Sequence, residues 1–240
     1  MNLFEEIDPT NRLDKWKEAF GIPPEKRSIR FCQIQYNAAK LLIFKKREID
    51  YSSYPSFGTT ICWDSFPLLD DTLKQSAIRL FLLISEMNDL FFAPLLPCFV
   101  ITLLHVLSEE EVYCIINSIL DNPMLRKKYL ICNPRYYEAF LESVPILNEK
   151  FAKPPNLRFT KDHPSMYGFI VRSWMSTFSV PSLPWESMLR FVDAFACSGV
   201  WLFPALYTVF LDHFGDEASQ LLQREESDWL SCTKCTLRPM

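Results

Sequence analysis

The sequence predicts an all-α, multi-helix protein, and three observations carry that expectation. Apolar residues recur at three- and four-residue spacing through one segment after another. Helix-start signals stand where those segments begin: Asp70-Asp71, Ser108 with Glu111 three residues on, and Asn133-Pro134. No strand–helix–strand alternation and no tandem repeat interrupts the pattern.

Composition agrees. The 240 residues suit one large domain or two small ones. Apolar residues make up 49% and aromatic residues 15%, with 20 Phe, against 22% charged, so a large core can form and a disordered chain is not expected. Five glycines argue against a Gly-rich phosphate loop, and a net charge of −4 offers no basic footprint for nucleic acid.

Taken in order, Leu13 to Phe20 is a short amphipathic segment stopped by Gly21 and Pro23-Pro24. Residues 1–25 are expected to form an N-terminal helix or extension, with no basic-then-apolar secretory signal. Glu25 to about Arg47 carries Ile29, Cys32, Tyr36, Ala39 and Ile43 at helical spacing. Asp50 to Pro67 reads as a linker in which "TTICW" suits a short extended piece. Asp70-Asp71 then caps "TLKQSAIRLFLLISEM", with Leu73, Ala77, Leu80, Phe81 and Ile84 on one face.

"NDLFFAPLLPCFVITLL", Asn88 to Leu104, is the most apolar stretch. It falls short of the roughly 20 apolar residues a membrane span needs, so a core helix is expected, with Pro94 and Pro97 in its first turn. Ser108 and Glu111 form a capping box for "EEEVYCIINSIL", which stops at Asp121-Asn122-Pro123. Asn133-Pro134 starts "RYYEAFLESVPILNEKF", with Pro145 a candidate kink. "AKPPN" is a loop. Ser165–Thr177, "WESMLRFVDAFACS" and the run from Val200 to Phe214 are further helices, the last two separated by Gly199. Asp216 to Trp229 is an amphipathic, charged helix before a polar tail.

Little in this pattern suits catalysis. Cys232-x-x-Cys235 is half a zinc site with no second half nearby, so no metal is expected. His105, His163 and His213 are isolated, and His105 suits a boundary of the core. Cys98, Cys114 and Cys197 fall on apolar faces among eight cysteines, the pattern of free thiols in a reducing compartment. Three basic clusters, Lys26-Arg27-Arg30, Lys45-Lys46-Arg47 and Arg126-Lys127-Lys128, fit solvated helix ends or contacts to an anionic headgroup or an acidic partner.

Three blocks, Asp71–Ile84, "NDLFFAPLLPCFVITLLHVLSEEEVYCIINSIL" and "FIVRSWMSTFSVPSLPWESMLRFVDAFACSGVWLFPALYTVFLDHF", resemble the TBC domain, the all-helical GTPase-activating domain for Rab proteins. The last block is the most specific, with Trp174, Phe178, Leu183-Pro184, Arg190, Asp193, Phe195 and Gly199 at family positions. The resemblance implies a TBC-like domain over 26–215, one that can divide into two helical subdomains, with 216–240 as C-terminal helix and tail. It also implies a cytoplasmic, at most peripherally membrane-bound, protein. Its partners would be a small GTPase of the Rab or Arf class and an anionic membrane lipid, without cofactor, nucleic acid or transmembrane segment. Trp174, Arg190 and Asp193 would be fold residues, with a buried Arg–Asp pairing.

In that family an arginine in I-x-x-D-x-x-R enters the GTPase site, and a glutamine in Y-x-Q orients the attacking water; an arginine finger can be worth about 10³–10⁵ in rate. The linker where the arginine belongs has none, and Phe92 and Pro94 stand where the Tyr and Gln belong. Proline has no amide to orient a water. The resemblance thus implies loss of catalysis. It is greatest to the TBC–TLDc subfamily, which has a Phe and two prolines at this place and binds phosphoinositide headgroups in vesicle trafficking; no TLDc segment follows here. Lys26, Arg27, Arg30, Arg126, Lys127, Lys128 and Arg172 are then lipid-binding candidates, which must converge on one concavity. Two alternatives to a catalytically dead GTPase-binding module stand: that lipid module, and an active GTPase activator with groups relocated to Arg79 or Gln75, Arg79 being expected on a solvated face.

Overall fold

In a computed structural model, residues 11–45, 48–66, 69–151, 164–180 and 183–210 are described, and among them helices and turns occur without a strand. The expected terminal helix, His163, His213, Cys232 and Cys235 lie outside these residues, as do Lys46 and Arg47.

Helix α1 spans Arg12–Ala19 and ends at Phe20, before Gly21 at φ 86°. Helix α2 spans Ile29–Phe44, shorter than the expected 25–47. Pro24–Lys26 is a 3-10 turn instead, and Ser28, in an extended conformation, restarts the chain by accepting the Phe31 N–H. The far end stops at Lys45 in the left-handed region, φ 45°. The following linker is irregular, with a 3-10 turn at Trp63–Ser65 where an extended piece was expected. Trp63 donates its indole N–H to the Tyr54 hydroxyl (3.0 Å), which folds the linker back on itself.

Helix α3 (Asp71–Asn88) starts where Asp70 accepts the Leu73 N–H at 2.7 Å and buries Ala77, Ile78, Leu80, Phe81, Leu83 and Ile84. Helix α4 is Leu96–Leu104, and every residue from Leu96 to Leu103 is buried. Only Pro97 sits in its first turn. Pro94 belongs to the preceding turn, a correction that follows from the chain reaching helical geometry at Leu95. Helix α5 (Glu109–Asp121) carries both halves of the capping box. Helix α6 (Pro123–Tyr129) was hidden by its proline: Asn122 accepts the N–H groups of Met124 and Leu125, so Pro123 opens a new helix rather than only closing the old one. Helix α7 (Pro134–Phe151), capped by Asn133, runs through Pro145; α8 spans Pro164–Thr177 and α9 spans Trp185–Ser198. A 3-10 turn at Gly199–Trp201 leads into a helical stretch at 202–210. The run Ser187–Phe210 is long and apolar enough to cross a membrane, but 61% of its apolar window is buried within the protein, as in a core helix.

The chain forms two compact units, residues 1–139 with 172–202, and residues 140–171 with 203–240. The core of the first is aromatic. Phe99 of α4 lies 5.5 Å from Phe20, 5.2 Å from Phe178 and 5.2 Å from Phe195 between ring centroids. Such pairs add about 0.5–1.5 kcal/mol each beyond their area. The apolar run that opened the membrane question is therefore the hub of a core. In the second unit Leu141, Val171, Phe203 and Tyr207 are buried.

Candidate functional site

The first unit contains a groove of about 600 Å³. Its walls are the linker residues Ser56, Gly58, Thr59 and Thr60, then Phe92 and Pro94 before α4, Tyr137 and Glu138 on α7, and Arg172 and Ser176 on α8. The linker and the turn holding Phe92 and Pro94 thus face one concavity.

Backbone geometry holds them there. The Ala93 N–H donates to the Phe57 carbonyl at 3.0 Å, which ties the linker to the turn before α4. Phe57 and Gly58 both have positive φ (52° and 82°), and Phe57 is 1% exposed. A Cβ on Gly58 would fall 2.7 Å from the Phe92 ring, so the linker can cross Phe92 only as glycine. Phe92 meets Tyr137 edge to face at 5.7 Å. Burial pushes the Tyr137 phenol up to about 12.

Among the described lining residues the one cation, Arg172, is already engaged. Arg172 donates through Nη1 to Glu138 Oε1 (2.9 Å) and through Nη2 to Oε2 (2.6 Å), and its guanidinium lies 5.5 Å over the Tyr137 ring. The Arg172 hydrogen bonds hold the Glu138 carboxyl below the usual carboxylate range. Both side chains are about half exposed, 48% and 52%, so the pair contributes under about 1 kcal/mol to stability. Its effect is local: it makes the groove wall neutral. Among the described residues no His, Cys or Lys lines this concavity.

The other candidates are dispersed. Lys26 lines a second groove of about 380 Å³, together with Asp121. Arg27 donates to the Ile22 carbonyl (2.9 Å), and Arg30 is exposed at the start of α2. Arg126 donates to the Leu120 carbonyl at the end of α5, while Lys127 is exposed. Lys128 lies 4.8 Å over the Tyr129 ring and donates to the Ala196 carbonyl (3.4 Å); burial lowers its pKa. Lys26 and Arg172 border different concavities, so the expected convergence does not occur between them.

Three further expectations are corrected. Asp193 is in a partly buried Arg–Asp pair, but its partner is Arg12 (3.1 Å), and it also accepts the Trp16 indole N–H at 2.7 Å. Arg190, one turn earlier on α9, is exposed, and Asp193 takes its donors from α1 instead. Arg79 is not on a solvated face. It donates to Glu109 through Nε (2.9 Å) and Nη2 (2.7 Å) and to the Tyr51 hydroxyl (3.0 Å), while Tyr36 also donates to Glu109. Trp174 is half-buried on α8, and Cys197, expected on an apolar face, is exposed. His105 hydrogen-bonds the Ile101 carbonyl (2.8 Å) beside Phe66, as a histidine at the edge of a core does. Among the described residues no three metal-ligating side chains cluster.

Sequence reasoning missed Glu138, Tyr137 and Arg12. Each acts through a partner 34 or more positions away, which no local periodicity marks.

No family model matches the chain. The TBC1 domain family member 10B of Homo sapiens is 31% identical over 126 residues, and that of Mus musculus is 30% identical over 126. These alignments cover 49% of this chain, and the chain spans only 14% of the length of those relatives. The TBC domain of Skywalker/TBC1D24 from Drosophila melanogaster, solved in complex with inositol(1,4,5)triphosphate, superposes with a TM-score of 0.66 at 20% identity, covering 91% of this chain and 74% of that one. A second structure of that domain gives 0.67 at 19%, covering 91% and 70%. The chain has the all-α fold of a TBC domain.

Proposed function

We propose that this chain is a TBC-type domain that binds a small GTPase of the Rab or Arf class without accelerating GTP hydrolysis, and so acts as a binding or scaffold module in cytoplasmic vesicle trafficking. The observation that carries the reading is the groove wall. The linker facing it contains no arginine, Pro94 stands where the family has its glutamine, and Arg172 is neutralised by Glu138. Arginine-finger catalysis needs a cation that leaves its own protein and enters the GTPase site. Arg79, the nearest substitute along the chain, is held by Glu109 and Tyr51.

The test is single-turnover GTP hydrolysis on a panel of purified Rab and Arf proteins, with binding measured in parallel. Binding without acceleration supports the reading. Acceleration of about 100-fold on any member overturns it.

A second reading, an anionic-lipid module, is favoured by the inositol(1,4,5)triphosphate in the Drosophila structure and by Arg172 in the groove. It requires Arg172 to exchange Glu138 for phosphate. Binding to phosphoinositide vesicles that falls with salt, and fails on charge reversal at Arg172, would establish it.

A further inference from the structure

We propose that the outward face of α2 docks on an anionic membrane surface, with its aliphatic side chains entering the boundary between headgroups and acyl chains and a cation at each end. Helix α2 packs on α3 and α5 and buries Cys32, Tyr36 and Ala39. At about 100° per residue the opposite side carries Arg30, Ile34, Ala38, Leu41, Leu42 and Lys45. On a helix that packs one side against a core, that outer side is ordinarily polar. Here Ile34 is 57% exposed, Leu41 69% and Leu42 58%. Apolar residues scattered singly over a surface need no explanation, but three large ones within about 12 Å on one helix face form a patch.

Charge selects the occupant. The chain carries a net charge of −4, yet no Asp or Glu occurs from Ile29 to Arg47, where Arg30, Lys40, Lys45, Lys46 and Arg47 stand. Arg30 and Lys45 are exposed at the two ends of the apolar face. Among the described residues neither is in an ion pair, unlike Arg12, Lys17, Arg79 and Arg172. A second copy of the chain would set these cations against one another whether the two helices ran parallel or antiparallel, which disfavours self-pairing. A protein partner is held mainly by aromatic anchors seated in pockets, whereas this face presents aliphatic and cationic side chains only. Those are the requirements of a helix lying on a bilayer: the aliphatic tips leave water, the long cationic stems reach the phosphates, and anionic lipid attracts the cations. None of the six residues lines either groove, so the inference is independent of how the grooves are used.

The test is flotation of the full chain with vesicles of phosphatidylcholine alone and of phosphatidylcholine with about 30% phosphatidylserine, at low and at high salt. Binding to the anionic vesicles should be at least about tenfold stronger than to the neutral ones and should weaken with salt. The triple variant Ile34→Gln, Leu41→Gln, Leu42→Gln should cut it by about tenfold or more, and so, separately, should Arg30→Glu with Lys45→Glu. Both variants should melt within about 2 °C of the parent, because the positions are exposed. Leu41→Trp should add fluorescence that brominated lipid quenches, which places that side chain among acyl chains. Soluble inositol(1,4,5)triphosphate should not displace the chain; displacement would assign the binding to a headgroup pocket and overturn the proposal. It is also overturned if the chain does not float with anionic vesicles, or if the triple variant binds as the parent does. A parent dimer in solution that the triple variant dissociates overturns it too, because a second copy then covers the face.

Discussion

Asp193 offers a test of how α1 is held in the first unit. Its carboxylate accepts the Trp16 indole N–H at 2.7 Å and the Arg12 Nε–H at 3.1 Å, and Trp16 is completely buried. In Asp193→Ala both donors lose their acceptor. A hydrogen bond to a charged group is worth about 1.5–3 kcal/mol, and stranding the buried indole N–H adds to that. The Arg12–Asp193 pair, with side chains 18% and 11% exposed, lies between the surface and buried cases and adds about 1 kcal/mol. The expected loss is about 3–5 kcal/mol. For a unit of about 170 residues each kcal/mol moves the melting temperature by roughly 2–4 °C, so a fall of about 10 °C is expected.

A small series separates the contributions in urea unfolding followed by circular dichroism. Asp193→Asn keeps an acceptor for Trp16 but not the ion pair, and should lose about 1–2 kcal/mol. Arg190→Ala, at an exposed position, should stay within about 0.5 kcal/mol of the parent. If Arg190→Ala costs as much as Asp193→Ala, or if Asp193→Ala is neutral, the assignment of Arg12 and Trp16 as the partners is wrong.

Arg79→Ala strands the Glu109 carboxylate and should cost about 1–3 kcal/mol in the same assay while leaving GTP hydrolysis on the Rab panel unchanged. Burial pushes the Glu111 carboxyl up, but Lys17 and the Ser108 backbone and hydroxyl more than offset this, so its pKa is lowered. Stabilisation from the Lys17–Glu111 pair is therefore complete above the unfolded value of about 4.3 and lost as pH falls through the lower folded value; Lys17→Met should flatten that acid limb of the stability–pH curve. Gly199→Ala should cost about 3 kcal/mol or more by thermal melting, because φ is 62° and the new Cβ would fall 2.1 Å from the Lys128 carbonyl oxygen. Pro94→Gln restores the glutamine type but no arginine, so hydrolysis should stay at its basal rate; stimulation by this variant alone would show that a cation reaches the GTPase site from elsewhere.

Most of the helices were legible because their signals are local. Asp70, Ser108 and Asn133 each accept the backbone N–H that their position in the sequence implies. The errors share a cause as well. Pro123 reads as a stop and is also a first-turn residue, which hid α6. Pro94 was placed one turn too late because an apolar run does not say where helical geometry begins. Arg190 and Asp193 are three apart on one helix, which suggested a pair, whereas the acceptor's true donors are 181 and 177 positions away. The likeness to the TBC fold was visible in the Trp174 to Gly199 pattern, but the groove's charge was not, since it depends on Glu138 meeting Arg172 across two helices.

That last contact decides how the groove should be understood. A cation in a concavity invites an anion, and Arg172 alone would argue for phosphate. With Glu138 bidentate on it, an incoming anion must first displace a carboxylate that is already in good geometry, and must then tolerate that carboxylate as a neighbour. A partner presenting hydrogen-bonding and apolar groups meets no such barrier. It finds Ser56, Thr59, Thr60 and Ser176 beside the faces of Phe92 and Tyr137. Phe92 and Pro94 add apolar surface to the same wall. Under the proposed reading, that apolar surface is what a domain would use to hold a GTPase without turning it over.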